Sequence, residues 1–147
     1  MQPINDTLEH LYAGEMTPAH AYCFLESNAA ALLVDVRTIP EWSFVGCPDI
    51  SSLGRELIRL SWRLYPTMQR NSAFEQQLAQ RVEDKSTPLL FLCRTGGRSL
   101  DAAIAMTAFG YKSCFNITFG FEGEKDHDHH RGRLNGWKAE QLSWKQD

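Results

Sequence analysis

Two short unbroken apolar runs, Ala31-Leu32-Leu33-Val34-Asp35-Val36 and Leu89-Leu90-Phe91-Leu92, constrain this chain more than any other feature. Neither alternates with polar residues, so each reads as a strand buried on both faces, the habit of a parallel sheet covered by helices on both sides. Helix signals fall around them. Thr17-Pro18 combines a capping hydroxyl with proline at the first helical position, Ala21, Phe24 and Leu25 share one face, and Asn28 helps to end the helix. Ser72-Ala73-Phe74-Glu75 reads as a capping box opening a helix that aligns Phe74, Leu78 and Val82 and stops before Pro88. After the second run, Cys93 to Arg98 forms a glycine-containing loop and Ser99 opens a helix with Ala102, Ala105, Met106 and Phe109 inward, closed by Gly110. Further strands are expected at Leu57–Trp62, followed by a turn at Tyr65-Pro66, and at Cys114–Thr118. Trp137, Leu142 and Trp144 are placed to anchor the polar tail. Alternating strands and helices predict an α/β domain with a mostly parallel sheet, whose ligands bind beyond the carboxyl ends of the strands. Asp35 and Cys93 both lie at such ends.

Composition narrows the class. At 147 residues, with 43% hydrophobic and 22% charged residues, the chain is the size of one domain (1–147, core about 17–144), with neither repeat nor linker. A formal charge of -3 gives no general attraction to nucleic acid or membrane surfaces, so anion binding has to come from local arginines. No run is apolar enough to span a bilayer, and Met1–His10 lacks a basic stretch followed by an apolar one, so a cytoplasmic protein is expected. The tripeptides Asn5-Asp6-Thr7 and Asn116-Ile117-Thr118 match a glycosylation pattern that arises by chance. Cys23, Cys47, Cys93 and Cys114 form no C-x-x-C pair, which favours a reduced compartment and one specialised thiol over a disulfide framework.

That thiol is Cys93. In Cys93-Arg94-Thr95-Gly96-Gly97-Arg98-Ser99 the glycines let the backbone curl with its N–H groups inward, a helix N-terminus adds positive potential, and two guanidinium groups stand nearby. Such surroundings favour thiolate over thiol and make Cys93 a nucleophile. Cys23 and Cys114 read as core.

This loop, together with Val34-Asp35-Val36-Arg37, Glu41-Trp42 and Gly110-Tyr111, resembles a rhodanese homology domain over roughly Thr17 to Trp144. Gly120-Phe121-Glu122-Gly123 and Gly136-Trp137-Lys138-Ala139 are similar to segments of bacterial single-domain members. The resemblance implies a three-layer α/β/α fold around a central, mostly parallel five-stranded sheet. It also implies a loop cysteine that accepts sulfane sulfur from thiosulfate or a related small anionic donor and passes it to a thiol, cyanide or protein acceptor. On this reading Cys93 carries a persulfide, Arg94 and Arg98 hold the donor, and Thr95, Gly96, Gly97 and Ser99 complete the cradle. Asp35 and Arg37 support the pocket, and no metal or organic cofactor is needed. Where the family continues Gly-His-Ile-Pro-Gly-Ala, this chain has Gly46-Cys47-Pro48-Asp49-Ile50, so the histidine is absent. Cys47 is either a packed small side chain or a resolving thiol.

Three other readings remain open. Phosphatases with a related loop use five residues between Cys and Arg, whereas Cys93 and Arg98 enclose four, a ring better suited to one sulfur than to a phosphoryl group. Arsenate reduction is a further variant on the same thiol. A non-enzymatic sulfur carrier or partner-binding module would need the same pocket. Asp126-His127-Asp128-His129-His130-Arg131 carries imidazoles and carboxylates but no recognised ligand spacing, and reads as a polar surface loop or a segment steering anions or a partner.

Overall fold

The structure is a computed structural model that describes residues 11–146; the features noted within Met1–His10 lie outside them. Its strands in chain order are β1 Gly14–Met16, β2 Leu32–Asp35, β3 Cys47–Pro48, β4 Ile58–Arg59, β5 Arg63–Leu64, β6 Gln69–Arg70, β7 Leu89–Leu92, β8 Cys114–Ile117 and β9 Trp144–Lys145. The central sheet has five strands in the order β1-β8-β7-β2-β4, and every neighbouring pair within it is parallel.

The two apolar runs occupy the middle of that sheet, as their lack of alternation requires. All four residues of β7 are buried. Leu89 and Phe91 face a core layer with Val34, Phe74, Leu78, Ala102 and Met106. Leu90 and Leu92 face the opposite layer, with Leu33, Ala21, Leu25, Phe121 and Trp137. The helices divide accordingly. Helix α1 (Pro18–Ser27) and the C-terminal segment cover the second face, while α3 (Phe74–Arg81) and α4 (Gly97–Ala108) cover the first. Thr17 caps α1 by accepting from His20 N–H at 3.2 Å, as the sequence indicates.

Several local expectations are corrected. β1 pairs in register with Phe115, Asn116 and Ile117, yet its three residues carry no strand signal. The run Leu57–Trp62 narrows to β4, although Leu60 and Trp62 N–H still reach the Asp35 and Val36 carbonyls at 3.0 Å. Around Tyr65-Pro66 the chain makes a small antiparallel hairpin, β5 with β6. Ser72 and Glu75 form no capping box: Glu75 pairs with Arg70 at 2.5 Å, and Asn71 Oδ1 accepts the Ala73 N–H at 3.1 Å. Phe109 is turned outward beside Lys85 rather than into the core. Cys23, expected in the core, is exposed. Cys114 is fully buried, and burial pushes its thiol up to about 11.

Trp137 is fully buried, its Nε1 donating to the Ser143 carbonyl at 2.8 Å, and β9 pairs antiparallel with β3, so the tail is held onto the body as the aromatics predict. Among the described residues no helix is long and apolar enough to cross a membrane.

Candidate functional site

Cys93 follows β7 directly, and the backbone after it is clamped from outside the loop. Phe121 N–H donates to the Cys93 carbonyl at 2.8 Å, and the Glu122 and Gly123 N–H groups donate to the Arg94 carbonyl at 3.0 and 3.2 Å. The clamp depends on Gly120. Its φ is +61°, and a Cβ there would stand 2.3 Å from the Cys93 carbonyl oxygen and 2.7 Å from the Arg94 carbonyl carbon, with only backbone to give way. Gly120→Ala is therefore expected to cost about 2–3 kcal/mol by combining left-handed strain with displacement of the loop. Urea unfolding checks the loss of stability, and the rate of Cys93 alkylation checks whether the loop moves.

The helix after the loop begins at Gly97, two residues earlier than Ser99, so Gly97 and Arg98 belong to α4 and Gly96, with φ +115°, is its N-cap. The earlier start brings the helix N-terminus to the sulfur. Gly96 N–H donates to Cys93 Sγ at 3.1 Å, and Ser99 Oγ stands 3.2 Å from the same sulfur. Cys93 is 1% exposed and packs on one side against core residues, but its sulfur meets these polar groups rather than hydrocarbon alone. Thr95 and Gly96 line a cleft of about 720 Å³ together with Asn116, Lys125 and Arg131, and Cys93 is not part of its lining.

The two loop arginines differ. Arg94 is exposed, and among the described residues its side chain has no hydrogen-bond or ion-pair partner. Arg98 is held by Glu41 in a two-pronged ion pair, Nη1 to Oε1 at 2.7 Å and Nη2 to Oε2 at 3.0 Å. Glu41 lies on α2 (Ile39–Phe44), a helix not among the sequence expectations although Thr38-Ile39-Pro40-Glu41 has capping-box spacing with proline in the first turn, and its Oε1 also accepts from Thr38 N–H at 3.2 Å and the Thr38 hydroxyl at 2.9 Å. Burial works against both charges, yet the Arg98 contact and the Thr38 bonds hold the Glu41 carboxyl below its usual range. Burial likewise opposes the Arg98 charge, and Glu41, followed by the nearby Cys93 and Asp35, holds it up.

Because Glu41's folded value is depressed, its contribution to stability is present above the unfolded value of 4.5 and is lost as the pH falls through the lower folded value. Wild-type protein is thus expected to lose stability relative to Glu41→Gln only below pH 4.5. Urea titrations between about pH 6 and pH 3 read this.

Asp35 and Arg37 are both fully buried and ion-paired at 2.7 Å. Arg37 Nε also donates to Asp35 Oδ1 at 3.0 Å, Nη2 donates to the Gly46 carbonyl at 2.7 Å, and the guanidinium lies 4.3 Å from the Phe121 ring centroid. This pair joins the end of β2 to the strand after α2 and to the clamp, beside the Glu41–Arg98 pair. Cys47 is 4% exposed on a second cleft of about 530 Å³, with Arg59 Nη1 3.9 Å from its sulfur. Burial first, and then Asp35, push its thiol up, which fits a packed side chain better than a resolving thiolate. The His127–His130 segment is a turn in which Asp126 Oδ1 accepts the N–H groups of Asp128 and His130, both at 2.9 Å, while its imidazoles are exposed.

The residues of the loop, Asp35, Arg37 and Glu41 are thus brought to one end of the sheet. Asn116 and Glu15 join them without having been singled out as site residues. Asn116, 3% exposed, accepts from Ser99 Oγ at 2.5 Å and donates to the Gly96 carbonyl at 3.1 Å, and its register partner Glu15 takes its remaining donor. The only sequence signal would have been a polar residue inside an apolar strand.

Comparison with known proteins agrees with this architecture. A family profile described as the STR4 middle domain matches residues 13–147. The crystal structure of Rv0390 from M. tuberculosis superposes with a TM-score of 0.86 at 43% identity, covering 92% of this chain and 99% of that one. An uncharacterized protein of Rickettsia conorii is 42% identical over 125 residues, 84% of this chain and 90% of its own length. A thylakoid rhodanese-like protein of the rice chloroplast is 29% identical over 132 residues, 89% of this chain but 25% of that protein.

Proposed function

The chain is a rhodanese-like domain protein of the STR4 middle domain family, and from that premise we propose that it is a sulfurtransferase carrying sulfane sulfur as a persulfide on Cys93. The observation that carries the reading is the sulfur of Cys93 at the N-terminus of α4, with the Gly96 N–H at 3.1 Å and the Ser99 hydroxyl at 3.2 Å. A helix N-terminus and two donors favour negative charge on that sulfur, as thiolate before the reaction and as leaving group after it.

In the first half-reaction the Cys93 thiolate attacks the outer sulfur of thiosulfate or a related anionic donor. A new S–S bond forms, the donor's S–S bond breaks, and its electron pair leaves with sulfite. Charge is conserved, because a thiolate and a dianionic donor give a persulfide anion and a dianionic sulfite. Arg94, exposed and without a partner among the described residues, is the residue suited to hold the donor's oxygens. Arg98, spent on Glu41, acts on the loop's shape and on the field at the sulfur rather than as a second free clamp. In the second half-reaction an acceptor thiol, cyanide or protein takes the outer sulfur and Cys93 leaves as thiolate.

The 1% exposure of Cys93 bears on the acceptor. A persulfide places the transferable sulfur about 2 Å farther along the side chain than the thiol, so an acceptor has to reach a site that the loop encloses. A protein-acceptor carrier and a small-molecule enzyme share this chemistry and differ in the second half-reaction. The four-residue spacing between Cys93 and Arg98 weighs against phosphoryl transfer. The test is the mass of the protein after exposure to a sulfur donor, with and without the Cys93 thiol.

A further inference from the structure

Ser99 has one hydroxyl proton and two partners for it. Its oxygen is 2.5 Å from Asn116 Oδ1 and 3.2 Å from Cys93 Sγ. The orientation of the Asn116 amide is settled by its other end, which lies 3.0 and 3.1 Å from the two Glu15 carboxylate oxygens and 3.1 Å from the Gly96 carbonyl oxygen. Only acceptors stand there, so that end is the NH2 group and the end facing Ser99 is the carbonyl oxygen, which cannot donate. Glu15 is itself held by hydrogen bonds from the Tyr12 and Thr118 hydroxyls at 2.6 and 2.8 Å. The shorter contact therefore takes the proton whenever the sulfur is uncharged, and Ser99 then turns a lone pair toward Sγ.

We propose that Asn116, oriented by Glu15, is a positioning residue for the Cys93 chemistry that acts through Ser99 as a hydrogen-bond switch. When the sulfur ionises, the Ser99 proton turns from the Asn116 carbonyl to Sγ. When the persulfide forms, the charge moves to the outer sulfur, Sγ becomes a neutral bridging atom, and the proton returns to Asn116. No covalent bond to hydrogen is made or broken by the turn itself; the thiol proton leaves to solvent on ionisation. The arrangement supplies a donor to Sγ only in the states where Sγ carries charge, and it spares the buried hydroxyl from being unpartnered in the loaded state. It also means that Asn116 competes with the thiolate for that proton.

This inference rests on the persulfide reading for its role in turnover, but its test needs no sulfur donor. The pH dependence of Cys93 alkylation is measured in wild type, Ser99→Ala, Asn116→Ala and the double variant, with the alkylated residue identified by mass spectrometry. Ser99→Ala, which removes the donor, is expected to move the midpoint up by about one pH unit. Asn116→Ala, which removes the competitor, is expected to move it down by about the same amount, and to have no effect in the Ser99→Ala background. The surrounding charges are the same in all four proteins: Arg94, Arg98 with Glu41, Asp35 with Arg37 at the end of β2, and Glu15 on β1. An upward or absent shift in Asn116→Ala, or an equal shift with and without Ser99, overturns the switch. Because Asn116 is buried in a central strand, Ser99→Ala is the independent arm: an unmoved midpoint there overturns the proposal even if Asn116→Ala does not fold. Absence of persulfide in wild type would instead overturn the function proposed above and leave these midpoints readable.

Discussion

Incubation with thiosulfate is expected to add about 32 Da, one sulfur atom, to the wild-type protein; cyanide is expected to remove it, and Cys93→Ser never to gain it. The substitution is nearly isosteric, and the Gly96 and Ser99 donors remain, so it tests chemistry rather than packing. A serine hydroxyl is a far weaker nucleophile than a thiolate, and removal of a covalent nucleophile costs several orders of magnitude in rate. Intact-mass spectrometry on the purified protein reads the result directly. Three thiols remain in the variant, Cys23, Cys47 and Cys114, and of these Cys23 is exposed. A mass gain that survives in Cys93→Ser would move the sulfur to one of them and sink the assignment.

The second large effect is on stability. Arg37→Met would leave the Asp35 carboxylate, fully buried, without the guanidinium that pairs with it at 2.7 Å. Breaking such a pair from one side typically costs about 3–5 kcal/mol, much of it the penalty of an uncompensated buried charge. Against a total stability of about 5–15 kcal/mol for an ordinary domain, that is a large fraction. The loss should show as a lower urea midpoint with little change in slope. Adding Asp35→Ala to Arg37→Met removes the stranded charge and is expected to recover part of the loss. A single variant within about 1 kcal/mol of wild type would mean that the pair contributes little. The two pairs at this end of the sheet, Asp35–Arg37 and Glu41–Arg98, thereby divide the work: one holds the strand ends, the other holds the start of α4.

Much of this architecture was legible in residues 31–36 and 89–92, because a strand buried on both faces has to be almost wholly apolar, Asp35 being the ion-paired exception, and little else is that short. The placement of Cys93 between β7 and the N-terminus of a helix was legible for a related reason, since paired glycines after such a strand mark a turn into a helix. The misreadings were local ones. Ser72 to Glu75 carries the spacing of a capping box, but Arg70 offers Glu75 a charged partner and Asn71 takes the N–H of Ala73, the N-cap. Phe109 has the helical period of a core residue but lies at the C-cap of α4, where the helix runs out beyond the sheet. β1 was invisible because three residues carry too little pattern, and its pairing with β8 is decided by what the rest of the sheet leaves open. Asn116 stood out in sequence only as part of a chance tripeptide.

By itself the sequence determined the layer architecture, the strand that delivers the thiol, and the chemical character of the loop, because periodicity and backbone freedom are local properties of a chain. Which polar groups reach the sulfur was decided only by tertiary structure. Glu41 meets Arg98 across 57 positions, and Asn116 meets Glu15 across 101, so the partner of each is set by strand order and register rather than by neighbours in the chain. Hydrogen bonds and ion pairs act over about 3 Å, and only the folded sheet brings residues so far apart in sequence within that reach.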